Sequence, residues 1–92
     1  MTQNTSAEII RRLTNALSPV ALTLDNDSAA HAGHMGDDGS GETHWSVHIV
    51  SARFDGLGRV ARQRLVYKAL GELMDNPIHA LAIRAQTPDE AR

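Results

Sequence analysis

The sequence predicts an α/β (α+β) domain in the order α-β-β-α-β, with two helices covering one face of a three-stranded mixed sheet. Three observations carry this. Apolar residues recur at helical spacing in 9–17 and again in 59–74, two segments between them alternate apolar and polar, and a third apolar run follows the second helix at 78–84. A strand that rejoins a sheet in parallel after a long helix uses that helix as its crossover.

The elements follow in chain order. Thr5 and Glu8 fit a capping box at the start of the first helix. Ile9, Ile10, Leu13, Ala16 and Leu17 form its apolar face, and Ser18-Pro19 ends it, because a residue before proline is pushed out of helical backbone. Val20, Leu22 and Leu24 share one face of the first strand. Residues 26–41 hold four of the seven glycines and no periodicity, which predicts a mobile connection. In the second strand, 42–51, Trp45, Val47 and Ile49 point one way and His44, Ser46 and His48 the other. Phe54 to Gly58 is a turn. The long helix, 59–74, buries Val66, Leu70, Leu73 and Met74 and stops at Asp75-Asn76-Pro77. Ile78 to Arg84 is the third strand. Thr87-Pro88-Asp89-Glu90 has the composition of a helix start. The whole of 1–92 reads as a single domain, with residues 1–5 and 87–92 as flexible ends.

Composition removes several functions. The chain has no cysteine, which excludes disulfides, a catalytic thiol and any metal centre built on its own thiolates. A formal net charge of -2 gives no global attraction to nucleic acid or an anionic membrane. The aromatics are Trp45, Phe54 and Tyr67, too few for base-stacking platforms. No run approaches the length of a membrane span, and the expected address is the cytoplasm.

Chemistry rests on the five histidines. His44 and His48 fall on the polar face of a strand and read as solvent-facing or structural. His31 and His34 lie in the glycine-rich loop, as either ligands or merely soluble loop residues. His79 opens the third strand, either as a core-edge residue or as a functional one. A structural zinc needs four protein ligands, and His31-x-x-His34 offers two, so only a site completed by another molecule fits. A free imidazole, with a pKa of about 6.5, is largely neutral at cell pH and is a good ligand for iron, zinc or copper. Ser28 lies near Asp25 and His31, but a loop of this composition holds no catalytic geometry. Gly33-His-Met-Gly36 opens no helix and so lacks the backbone N–H groups that capture phosphate. Gly56-Leu-Gly58 does precede a helix, where Arg59 and Arg62 in the first turn and Arg64 and Lys68 beyond make a local basic patch.

Several segments together resemble the BolA family: Asp27-Ser28-x-x-His31, Glu42-Thr43-His44-Trp45, Ile49-Val50-Ser51 with Phe54-x-Gly56, Arg62-Gln63-Arg64-Leu65-Val66-Tyr67, Ile78-His79-Ala80-Leu81-Ala82, and Thr87-Pro88-Asp89-Glu90. Their order and spacing run through nearly all of the chain from about residue 7. The resemblance implies an α-β-β-α-α-β arrangement like the class II KH domain, with an extra short helical turn near Leu57. It implies a non-enzymatic adaptor that binds a monothiol glutaredoxin and shares a [2Fe–2S] cluster in iron–sulfur trafficking or iron and redox sensing. His79 would be one ligand and His31 the other, with His34 as the alternate. A glutaredoxin cysteine and glutathione would hold the second iron. No cofactor is expected in the isolated chain, which would be a monomer or a weak homodimer. The family also implies a second role, a DNA-binding transcriptional regulator with Arg59, Arg62, Arg64 and Lys68 on phosphates. Where the family usually carries Arg-His-Arg in the long helix, the middle residue here is Gln63.

Overall fold

The computed structural model describes residues 5–26, 44–75 and 78–92. Helix α1 (Thr5–Leu17) leads into strand β1 (Ala21–Asn26), and the chain returns as β2 (His44–Val50). A short 3-10 turn (Ala52–Phe54) precedes helix α2 (Arg59–Leu70), a second 3-10 turn (Gly71–Met74) follows it, and β3 (Ala80–Gln86) completes the sheet. The strand order is β1-β2-β3, with β1 antiparallel and β3 parallel to β2. The expected mixed sheet with a helical crossover is therefore present. No helix among the described residues is long and apolar enough to cross a membrane.

Alternation on β2 decides which face is core. Trp45, Val47 and Ile49 are buried, whereas His44, Ser46 and His48 are only half-buried on the other face. Leu22 and Leu24 of β1 and Leu81, Ile83 and Ala85 of β3 extend the same apolar face. Ile9, Leu13 and Leu17 of α1 pack onto it together with Val66, Leu70 and Leu73. Three residues assigned to apolar faces lie outside: Ala16 is exposed, Ile10 is 41% exposed and Val20, which precedes β1, is 70% exposed. Thr5 is the first described residue and lies within α1, and the Glu8 carboxylate is held by Arg11 and Arg12.

Three boundaries differ from the sequence reading, each for a local reason. The extra turn sits at Ala52–Phe54 rather than near Leu57. Ser51 caps it by accepting the Arg53 N–H at 3.1 Å, while the Ser51 hydroxyl donates to the Leu17 carbonyl at 2.5 Å. Phe54 is thereby driven into the core, at 0% exposure. The long helix ends at Leu70 instead of Met74. Gly71 takes φ 55°, a backbone that favours glycine, and Arg12 reaches across to accept the end of the helix by donating to the Leu70 carbonyl at 2.8 Å. β3 begins at Ala80 and runs to Gln86, so Ile78 is a buried plug ahead of the strand rather than its first residue.

Phe54 joins the turn to the core of both layers, so Phe54→Ala should cost about 3–5 kcal/mol of stability. Chemical denaturation followed by the fluorescence of Trp45, the chain's only tryptophan, measures this directly.

Candidate functional site

The parallel pairing sets which residues meet at one end of the sheet. β1 ends at Asn26, β2 begins at His44, and the Cα partner of His44 on β3 is Ala80. Asn26 is itself paired with Trp45. The connection between β1 and β2 therefore leaves and returns at the end of the sheet where His79 precedes β3. His79 is exposed, and its ring lies against that of His44 with centroids 6.4 Å apart at an interplanar angle of 76°. Edge-to-face geometry at this separation is a favourable ring contact.

His31 and His34 lie outside the described residues, on that connection. His48 bonds through Nε2 to Gln86 Oε1 at 2.7 Å, a structural tie between β2 and β3. Strand alternation treats His44 as its equivalent, but the register puts His44 beside His79 instead. The signal was present only in the pairing of two strands separated by a helix, which no local pattern carries. Among the described residues, no three His, Cys, Asp or Glu side chains are grouped to hold a metal ion.

The basic patch divides. Arg59, Arg64 and Lys68 are exposed along α2. Arg62 turns inward, with a side chain only 14% exposed. It donates to the Leu57 carbonyl at 2.8 Å and the Ala85 carbonyl at 3.1 Å, and grips both Glu90 oxygens at 2.5 and 3.0 Å. Its five N–H groups suit this forked recognition. Glu90 also accepts the Thr87 N–H, and Thr87 Oγ1 accepts the Glu90 N–H, which is a capping box closed on itself. Thr87 to Ala91 is thus one anchored turn. An open groove of about 580 Å³ lies there between the start of α2 and Ile83–Gln86, at the end of β3 away from His79. Gln63 lines this groove beside Arg62. In this arrangement Arg62 ties helix, strand and tail together, and three cations remain outward for any phosphate.

Comparison with known proteins agrees with this architecture. Residues 13–90 match the family model described as BolA-like protein. The chain belongs to the BolA-like family. Human BolA-like protein 1 is 48% identical over 86 residues, covering 94% of this chain and 60% of the relative. The chain therefore spans about 60% of the length of such relatives. BolA1 from Arabidopsis thaliana superposes with a TM-score of 0.87 at 40% identity, each chain covered in full. The BolA domain of SufE1 from the same plant gives a TM-score of 0.85 at 38% identity, covering 98% of this chain and 99% of that one.

The Arg62 guanidinium, and then the Thr87 N–H, hold the Glu90 carboxyl down at about 2. Arg11 and then Arg12 do the same for Glu8. A carboxyl whose pKa is lowered by folding contributes stability that is full above about 4.5 and lost as the pH falls toward 2. Glu90→Gln should flatten the acid limb of the thermal-stability profile between those values. Salt should weaken the difference, because Glu90 is 45% exposed.

Proposed function

We propose that this chain is a non-enzymatic adaptor that binds a monothiol glutaredoxin and shares a [2Fe–2S] cluster with it, in iron–sulfur trafficking or iron and redox sensing. The observation that supports it is the position of His79. It is exposed at the end of the sheet from which the β1–β2 connection departs and to which it returns, next to a second imidazole.

The donor chemistry fits half of such a site. The chain offers imidazole nitrogens and no thiol. His79 supplies one nitrogen, and a loop histidine a few residues beyond Asn26 supplies the second, His31 by family resemblance and His34 as the alternate. Thiolates for the other iron must come from outside, from the glutaredoxin cysteine and glutathione. When bound, a cluster with two imidazoles on one iron has a higher reduction potential than an all-thiolate one. This chain's own contribution is rigid presentation. His79 is followed at once by β3, which is hydrogen-bonded along its length to β2, so the imidazole is carried by the sheet. Membership in the BolA-like family supports the reading, as does the occurrence of a BolA domain within SufE1, a module joined to another protein.

Co-expression with a monothiol glutaredoxin should yield a heterocomplex with a visible-region cluster spectrum. His79→Ala should remove or shift that spectrum, and His31→Ala should shift it while leaving the fold intact. A complex whose spectrum is the same in His79→Ala excludes this histidine as a ligand, and the absence of any complex removes the adaptor reading.

A further inference from the structure

We propose that His44 and His79 form a two-imidazole site for a borderline divalent transition-metal ion, of the class of nickel(II), copper(II) or zinc(II), on this chain by itself. The two side chains come from segments far apart in sequence. The parallel register that opposes His44 to Ala80 holds them together, and their rings lie 6.4 Å apart, centroid to centroid. With metal–nitrogen bonds of about 2.0–2.1 Å, two imidazoles on one tetrahedral ion have centres about 5 Å apart. A small rotation of side chains closes that difference. His79 has room for it, because it is exposed on a bend just ahead of β3.

Neutral imidazole prefers this class of ion over magnesium or calcium, which take oxygen ligands. No third His, Asp or Glu joins the pair among the described residues, so the pair supplies two of the ion's ligands. Such a site is open and exchangeable, unlike a four-ligand structural zinc. His48 is not part of it, being bound to Gln86 further along β2. The site uses the same His79 that the adaptor reading assigns to a cluster. On that reading, an ion seated here withdraws His79 from the cluster, and metal occupancy regulates the pairing.

The test uses the chain without glutaredoxin, so its outcome is independent of the adaptor reading. Nickel(II) is titrated calorimetrically, and zinc(II) is followed through the imidazole NMR signals. The expected result is saturable binding with shifts confined to His44 and His79, lost in His79→Ala and in His44→Ala. His44→Phe retains a ring against His79 and guards against loss of packing, and it should lose binding equally. Binding that persists in His44→Phe overturns the proposal. So does a wild-type chain that takes up neither ion, or loss of binding in His31→Ala or His34→Ala, which would assign the ion to the loop.

Discussion

Parallel strands cannot be joined by a tight turn, and the pairing of β2 with β3 governs most of what surrounds it. The chain must cross from one end of the sheet to the other between Val50 and Ala80, and α2 makes that crossing over the apolar face. Because β1 is antiparallel to β2, the single buried face has to be filled from one side, where α1 and α2 pack together. The register then follows from side-chain alternation. A slip of one residue would turn Trp45, Val47 and Ile49 to the polar face, so the buried set pins the pairing. The same register brings the starts of β2 and β3 together, and with them His44 and His79. The candidate site is a by-product of burying three side chains elsewhere on the same strand.

Two arginines secure the crossover at its ends. Arg12, from α1, caps the last turn of α2 by donating to the Leu70 carbonyl and to Glu72, and it also donates to Glu8 on its own helix. A cation at a helix C-terminus meets unsatisfied carbonyls there, and the helix dipole adds to the attraction. Arg62 works at the other end, where it ties the turn before α2 to β3 and to Glu90. In both cases the guanidinium serves backbone carbonyl and side-chain carboxylate at once, which lysine could not reproduce. This explains why a helix whose outward face carries Arg59, Arg64 and Lys68 does not offer all of its positive charge to a partner.

The elements were legible in the sequence because period and punctuation are local. Helical spacing marked Ile9, Leu13 and Leu17, alternation marked Trp45 to Ile49, and Pro19 marked the end of α1. The differences lie where long-range contacts override local ones. Gly71 is a local mark of the helix end, but the helical pattern through Leu73 and Met74 runs past it, and the Arg12 contact that holds the break comes from a segment distant in sequence. Arg62 likewise reads as an exposed cation on a basic helix, because its partner Glu90 is distant in sequence. His44 was set aside with His48 by the same alternation that located the strand correctly, since both do lie on the face away from the helices. What separates them is position along β3, His44 opposite Ala80 beside His79 and His48 opposite Arg84, which only the fold supplies.

The absence of thiols acquires its meaning from that geometry. A small chain that presented cysteines at the end of a rigid sheet would capture soft metals and oxidise on its own. One that presents imidazoles there binds weakly alone, because two neutral nitrogens leave most of a metal's coordination to water. On the proposed adaptor reading, tight binding waits for a molecule that brings thiolates. The His44–His79 pair sharpens this division, because it gives the ligand position a second state. On the two proposed readings, an ion held by both imidazoles and a cluster held by His79 and a loop histidine compete for the same side chain. On the proposed readings, the exposure of His79, which looks like a weakness in a metal site, is what would allow exchange between the two.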